Sequence, residues 1–422
     1  MKLDGRLQFA TIQKLCVLYL ILWAMIPPLM LDNIYRYLGL AACAVWFLLA
    51  FLRGFKLSRT HLFALLFVVL VIFVAYIQTK SINGILRPIA MYMLVICFIM
   101  KEFYDDFPDD FSWMVPVILI LYVYFNYVTA KTIIADPTVA RLIVRNDPET
   151  YHYIRSGVGG YGYLYPQVCI FPALLAWIIK SLKKSKLLFI LGLAWLVSYI
   201  IVVANANYSI AIFSTIISAI VLLFYKKESV VGVIVVALAL FVAVMMSILY
   251  IEPWRRFLLE IFDGTAVAKK INDLVASSES GEAEGSIASR TVAYEGAFSD
   301  IFRYPIIGGL WRGGGGGHSA ILDTMAMYGL FGEYVLIKSL FCNTNYYGGK
   351  YRIGFIKRMT NATIVSLLFV FLLDSAPYQF MPVVILYLFM IMKDVEGWTV
   401  DEYENTLDGE LNTEELSKIP QN

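Results

Sequence analysis

The sequence has little charge for its length, and this scarcity excludes the ordinary soluble classes. Only 16% of its 422 residues are charged, whereas 60% are hydrophobic, and the mean hydropathy is +0.71. Soluble domains carry about 25% charged residues. The formal net charge of +2 is too small to indicate a nucleic-acid partner. The composition instead predicts a chain whose main solvent is lipid.

Cysteine, histidine and metal-binding motifs are also scarce. The five cysteines, which lie in apolar runs or in a short loop without paired spacing, indicate neither a disulfide framework nor a zinc site. The sequence has three histidines, and its long loops contain no Asp-x-Asp motif. We therefore predict no metal site and no cofactor.

Apolar runs that are long enough to cross a bilayer recur along most of the sequence. Each crossing needs roughly 17–25 mostly apolar residues. The predicted spans are 12–31, 33–52, 62–79, 85–100, 111–134, 161–179, 187–204, 208–225, 230–251, 318–341, 360–374 and 377–392. The first run lacks a small-residue cleavage pattern and is interpreted as a retained helix. The predicted fold class is an all-α polytopic membrane protein with about 12 transmembrane helices.

The basic residues predict how the helices are oriented. The short connections 53–59, 180–186, 226–227 and 350–358 are all basic, and an even number of spans places them on the same side as the basic N-terminus. Because short cytoplasmic loops are enriched in Lys and Arg, this side is predicted to be the cytoplasm. Residues 1–393 then form the transmembrane domain, and residues 394–422 form an acidic, mobile cytoplasmic tail.

Two long loops, at about 135–160 and 252–317, are predicted to lie outside. Arginine dominates their basic residues, although the positive-inside rule disfavours it there: Arg141, Arg145, Arg155, Arg255, Arg256, Arg290, Arg303 and Arg312, against Lys269 and Lys270. Guanidinium groups bind phosphate and carboxylate oxygens in a bidentate manner, so the arginines suit a pyrophosphate or an acidic sugar at the membrane surface. For any single arginine, pairing with acidic loop residues or with lipid headgroups is the favoured interpretation.

The second long loop has two further features. Residues 276–285 are small and polar, and we expect them to be flexible. Apolar residues recur at helical spacing over 290–302, which predicts a short amphipathic helix.

The end of this loop combines glycines with a histidine. Gly313 to Gly317 precede His318, which lies where the chain returns to the membrane. An imidazole there could accept a proton, although a flexible hinge with an interfacial histidine is an equal alternative. Asp323 is a candidate for orienting His318, and Asp32, Asp374 and Lys338 are further candidate membrane or interfacial charges.

Four segments of the sequence resemble one family pattern. They are Ser289-Arg290-Thr291 through Phe298, then Tyr304-Pro305-Ile306-Ile307-Gly308-Gly309, then His318-Ser319, and Tyr328-Gly329-Leu330-Phe331-Gly332. Together with the predicted topology, they resemble the bacterial O-antigen and capsule polymerase family, which is related to the O-antigen ligases. Ser319 departs from the asparagine that is usual in that family.

The resemblance implies an enzyme and a set of site residues. It implies a fold similar to the GT-C glycosyltransferases, with the long external loop between helices 9 and 10. It also implies metal-independent polymerisation of undecaprenyl-pyrophosphate-linked repeat units at the external face of the bacterial inner membrane. We expect Arg290 and His318 to be catalytic, with substrate-binding roles for Arg141, Arg145, Arg155, Arg303, Arg312 and Asp323. Lipid-linked glycans and membrane lipids are the implied partners, and a chain-length regulator is left open.

Two alternative functions remain at this point. An O-antigen ligase would use the same scaffold and transfer the glycan to the lipid A core. A flippase or another secondary transporter fits a twelve-helix layout, but the late external loop and the few intramembrane charges argue against transport.

Overall fold

The computed structural model describes residues 2–31, 33–80, 94–99, 113–136, 139–144, 148–206, 208–224, 230–263, 266–280, 285–310, 319–350, 354–374 and 380–407. Throughout this described part of the chain, regular secondary structure is helical and no strand occurs.

The helices follow the apolar runs in chain order. In the first half they are α1 (Lys2–Met25), α2 (Pro27–Leu31), α3 (Asn33–Leu52), α4 (Arg59–Thr79), α5 (Met114–Ala135), α6 (Val139–Val144), α7 (Tyr151–Arg155), α8 (Tyr161–Lys184) and α9 (Lys186–Asn205). In the second half they are α10 (Ser209–Phe224), α11 (Val230–Tyr250), α12 (Glu252–Ile261), α13 (Ala266–Ser280), α14 (Gly285–Arg303), α15 (Ala320–Lys350), α16 (Gly354–Leu373) and α17 (Phe380–Leu407). Residues 94–99 are also helical, and Pro148–Thr150 forms a 3-10 turn.

Within the described residues, six helices are long and apolar enough to cross a membrane: α4, α5, α8, α9, α15 and α16. A seventh candidate is the pair α11 and α12, which bends by 98° where the helices meet. The apolar parts of α1, α3 and α10 are shorter. These helices make the chain a multi-pass membrane protein. The count of twelve spans stays a prediction, and most of the fourth predicted span lies outside the described residues.

Helix α8 occupies the centre of the bundle. It packs against α9, α10, α16 and α17, and 83% of its most apolar 18-residue stretch is buried inside the protein. By contrast, only 28% of the corresponding stretch of α9 is buried, and α9 presents large apolar side chains outward. Such a surface suits contact with lipid, whereas α8 is shielded by other helices.

A buried polar network joins three of the candidate spans. Asn126 of α5 is fully buried, and its amide donates to Gln167 of α8 at 3.1 Å and to Ser198 of α9 at 3.2 Å. The Tyr163 hydroxyl donates to the Asn126 side-chain oxygen at 2.9 Å, and the Trp195 indole donates to Gln167 at 3.1 Å. These bonds supply partners to polar groups that lipid could not satisfy.

Both long loops contain helices. The first holds α6 and α7, and the second holds α12, α13 and α14. The prediction of a helix over 290–302 is confirmed by α14, which begins five residues earlier, at Gly285. The expected flexibility of 276–285 is wrong over 276–280, because these residues form the last turn of α13. Serine and glutamate have acceptable helix propensity, and α13 also packs against α11, α12 and α14.

Candidate functional site

The predicted site residues fall into two groups. Arg290, Asp323, Arg155 and Arg303 belong to described helices, whereas His318, Arg145 and Arg312 lie outside the described residues. The backbone at Arg141 belongs to α6, and its side chain lies outside what the structure describes.

Arg290 reaches from the second long loop to the end of a membrane helix. It lies in the first half of α14 and is half-buried. Its Nη1 donates a hydrogen bond of 2.6 Å to the backbone carbonyl of Leu373, the last residue of α16. The last carbonyls of a helix lack intrahelical partners and carry partial negative charge, so a guanidinium is well placed there.

Asp374 immediately follows that carbonyl and joins two other helices. Its Oδ2 accepts a short hydrogen bond from the Tyr165 hydroxyl at the start of α8. Its backbone oxygen accepts a hydrogen bond of 2.9 Å from the N–H of Ala320, the first residue of α15. Asp374 therefore ties together the beginnings of α8 and α15 and the end of α16.

Ser319 begins α15 at the same place. Its Oγ accepts a hydrogen bond of 3.2 Å from the Leu322 N–H, as an N-cap serine does, and donates one of 3.3 Å to the Phe371 carbonyl. The Asp323 N–H donates to the Ser319 carbonyl at 2.8 Å. Asp323 thus lies in the first turn of α15, and its side chain is partly exposed.

These contacts define one cluster, which we call the helix-end cluster: Arg290, Asp374, Tyr165 and Ser319. It combines a guanidinium that can bind an anion, a carboxylate, a phenol and a hydroxyl. Its members come from four different parts of the chain, and His318 is the sequence neighbour of Ser319. The cluster lies where three candidate membrane-crossing helices, α8, α15 and α16, begin or end.

The segment from Pro305 to Leu310 replaces part of the hydrogen bonding of α15. In an unbroken helix, the N–H groups of residues 330 and 331 would donate to the carbonyls of residues 326 and 327. Here those N–H groups donate to the carbonyls of Pro305 and Ile306, at 2.9 and 3.0 Å. The freed carbonyls of Ala326 and Met327 accept from the N–H groups of Gly309 and Leu310, at 2.8 and 3.2 Å.

Gly308 and Gly329 make this insertion sterically feasible. Both have positive φ, +69° and +68°. A Cβ on Gly329 would lie 2.2 Å from the Ile306 carbonyl oxygen, and one on Gly308 would lie 2.4 Å from the Met327 carbonyl oxygen. We call residues 305–310 together with the break in α15 the glycine interlock. It places the backbone of residues 329–331 against the loop, while Tyr328 and Gly332 also pack against α4: the Tyr328 ring lies 5.9 Å from the Phe67 ring, and a Cβ on Gly332 would lie 3.1 Å from Leu70. Gln78 of α4 donates to the Leu310 carbonyl at 3.2 Å.

Two of the predicted arginines are not brought to Arg290. Arg155 ends α7, which packs against α2, and its side chain is exposed. Arg303 lies 13 residues after Arg290 on α14, which separates them by roughly 20 Å along the helix axis. Its guanidinium lies over the Tyr304 ring, 5.6 Å from the ring centroid. Substrate contact by either arginine stays a prediction.

Sequence reasoning missed Tyr165 and assigned Asp374 no role beyond that of a candidate charge. Tyr165 belongs to an aromatic-rich stretch, Tyr161 to Tyr165, at the start of a predicted span. Such a stretch is typical of a membrane interface and carries no signal for a catalytic contact. For Asp374, the sequence offered one indication: an aspartate at the end of an apolar run is a candidate functional charge.

No family model matches the chain, and no curated protein matches it. Its function is therefore inferred from the geometry of the helix-end cluster and from the resemblance of the motif segments.

Proposed function

We propose that the protein is a membrane glycosyltransferase that polymerises undecaprenyl-pyrophosphate-linked oligosaccharide repeat units. In this proposal the chain crosses the bacterial inner membrane twelve times in a GT-C-like fold, with both termini in the cytoplasm. The helix-end cluster faces the outside, where the lipid-linked repeat units accumulate.

The observation that carries the proposal is the hydrogen bond from Arg290 to the Leu373 carbonyl. It brings the arginine of the loop motif to the helix end where Ala320 and Ser319 also make their contacts. His318 directly precedes Ser319 in the sequence, and the proposal assigns it to the same site as Arg290.

The chemistry of the cluster suits transfer of a glycan from a pyrophosphate. The acceptor hydroxyl oxygen forms a bond to the anomeric carbon of the donor glycan. The bond from that carbon to the pyrophosphate oxygen breaks, and undecaprenyl pyrophosphate leaves with the electron pair. Arg290 stabilises the charge on the leaving group, and His318 takes the hydroxyl proton.

Asp374 and Tyr165 have a supporting role in this scheme. The carboxylate of Asp374 lies one residue beyond the carbonyl that holds Arg290, and Tyr165 orients that carboxylate. A negative charge at this point favours a cationic partner next to it, so the pair helps to keep the guanidinium at the helix end.

The test is complementation of a strain that lacks the gene, followed by a gel of its surface polysaccharide. We expect Arg290→Lys to lower the rate of polymerisation by about 100-fold, because lysine cannot form the bidentate fork. His318→Ala should leave single repeat units on the carrier lipid. Arg358→Lys is the matched control, since Arg358 lies near the opposite end of α16 from Leu373.

Each gel pattern has a distinct meaning. Long chains of normal abundance in both Arg290→Lys and His318→Ala would overturn the proposal. Polymer that stays on the carrier lipid and never reaches lipid A in the deletion strain would instead indicate a ligase. An accumulation of single repeat units on the cytoplasmic side would indicate a flippase.

A further inference from the structure

Helix α12 has a sharply different direction from the membrane helix that precedes it. The chain bends by 98° between residues 234–250 of α11 and α12. Helix α11 has 21 residues, nearly all of them apolar. If α11 alone crosses the membrane, a helix at right angles to it lies close to the plane of the membrane surface. With ten residues, α12 extends about 15 Å along that surface.

Three large apolar side chains of α12 are exposed on one face. Trp254, Phe257 and Ile261 are 40%, 50% and 56% exposed, and the rings of the first two stack with centroids 5.6 Å apart. At about 100° of rotation per residue, the three lie within roughly 60° of one another around the helix. We call this the apolar stripe.

The two other sides of α12 have different surroundings. Leu258, Leu259 and Phe262 pack around Ile248 of α11 and Ile271 of α13, which fixes the helix against the protein. Glu252, Arg256 and Glu260 recur every four residues and are exposed, and Arg256 forms an ion pair with Glu252. Around the helix, a protein-facing side, a charged side and the apolar stripe follow one another at roughly even intervals.

The preceding helix, α11, also exposes apolar side chains towards the bend. Val242, Met246 and Tyr250 recur every four residues along α11 and are exposed, and Tyr250 reaches 74% at the helix end. Aromatic side chains are favoured at the boundary between acyl chains and headgroups. Large apolar side chains are therefore exposed on both sides of the bend, at the end of α11 and along α12.

We propose that α12 is an in-plane membrane anchor whose apolar stripe, Trp254, Phe257 and Ile261, inserts into the lipid leaflet at which α11 ends. The charged side then faces water, as in other interfacial helices. Its charges do not select anionic lipid, because α12 contains two arginines and two glutamates and so has no net charge. Insertion depends on apolar area and is independent of headgroup charge.

Insertion of α12 also affects the position of the other helices in the second long loop. Helix α12 packs against α13, and α13 packs against α14, which carries Arg290. Inserting α12 in the leaflet therefore sets the height of these loop helices above the bilayer. The insertion itself does not depend on the proposed glycosyl transfer, and it can be measured without any activity.

The experiment places a nitroxide spin label on each side of α12 in the full-length protein. Trp254→Cys, Phe257→Cys and Ile261→Cys report on the apolar stripe, and Arg256→Cys and Glu260→Cys are the matched controls. The background replaces the five native cysteines, four of which are buried, with serine or alanine. Each protein is reconstituted in vesicles of phosphatidylethanolamine and phosphatidylglycerol, and collisions with oxygen and with a water-soluble nickel chelate are measured.

We expect the stripe labels to collide several-fold more with oxygen than with the chelate, at a depth of about 5–10 Å below the headgroup boundary. The control labels should show the reverse preference. The preference of the stripe labels for oxygen over the chelate should persist in pure phosphatidylcholine and at high salt. Equal access of the chelate to both sides would overturn the anchor, and loss of insertion without anionic lipid would overturn its independence from charge.

One further outcome and one further variant complete the test of the anchor. Stripe labels that are shielded from both reagents and broadened by a neighbouring spin would show a second copy on the stripe, which also overturns the proposal. If the substituted background does not fold, Trp254→Phe in the native protein gives a second measurement. Interfacial bromolipids should quench less of the tryptophan emission of this variant than of the wild type, and equal quenching would refute insertion.

Discussion

Replacing Gly329 with alanine perturbs the glycine interlock at its closest contact. The new Cβ would lie 2.2 Å from the Ile306 carbonyl oxygen and 2.5 Å from the Gly308 nitrogen. The backbone at Gly329, with φ +68° and ψ −175°, lies in a region that only glycine adopts readily. Keeping it with alanine costs about 1–3 kcal/mol before any steric overlap.

The variant can avoid this strain by expelling residues 305–310, and that change has its own cost. Four hydrogen bonds between the segment and the break in α15 are lost. Two helical bonds can then re-form, from residues 330 and 331 to residues 326 and 327. The hydrogen bond from Gln78 to the Leu310 carbonyl is lost as well, so the net loss is three bonds, which costs about 1.5–4.5 kcal/mol.

Hydrogen exchange followed by mass spectrometry measures this change locally. Because 1.4 kcal/mol corresponds to about a tenfold change in an equilibrium, we expect exchange at Gly309 and Leu310 to accelerate by about 10- to 100-fold. Exchange at Leu330 and Phe331 should stay slow, since their N–H groups regain helical partners. This contrast distinguishes expulsion of the segment from general unfolding.

Gly296→Ala is the matched control on the same loop. Gly296 lies within α14, and a Cβ there would meet no atom within 4 Å. We expect this variant to be neutral or stabilised by up to about 1 kcal/mol, because alanine favours the helix. If Gly329→Ala exchanges like the wild type at Gly309 and Leu310, the described interlock is not a constraint on the chain.

Two further substitutions test the contacts between helices. Tyr165→Phe removes the hydrogen bond to the Asp374 carboxylate, which costs about 1.5–3 kcal/mol. We expect a lower midpoint of thermal unfolding in detergent and weaker polymer formation. Unchanged values of both would argue against a role for the pair. Asn126→Leu removes the donor to Gln167 and leaves buried polar groups short of a partner, at about 1–3 kcal/mol. Its midpoint should fall below that of the control Ser247→Leu, since the Ser247 hydroxyl bonds only within its own helix, and equal midpoints would contradict the network.

The sequence predicted the helical class and most of the helices. Hydrophobic runs predict a helix in lipid because every backbone polar group must find its partner within the segment. This requirement is local, so α5, α8 and α9 follow directly from their residues. The helix α14 was also predictable, since its apolar residues recur at helical spacing. The small polar residues at 276–280 were misleading, because they continue α13 to its end at Ser280.

The candidate site was only partly predictable. Arg290 stood out because arginine is unusual in a loop that is predicted to be external, and because it belongs to the motif. Its partner could not be inferred, because the Leu373 carbonyl lies 83 residues away and any helix end offers the same acceptor. The bond between Tyr165 and Asp374 spans 209 residues and leaves no pattern in either segment.

The sequence by itself determined that the chain is helical, apolar and rich in loop arginines, because these properties depend on the identity of each residue and of its near neighbours. Only the tertiary structure decided that Arg290, Asp374, Tyr165 and Ser319 meet at one helix end. It also decided that Gly308 and Gly329 interlock and that α12 turns its apolar stripe away from the protein. The physical reason is range: hydrophobicity and helix periodicity act between near neighbours, whereas a hydrogen bond between distant segments depends on where the whole bundle places them.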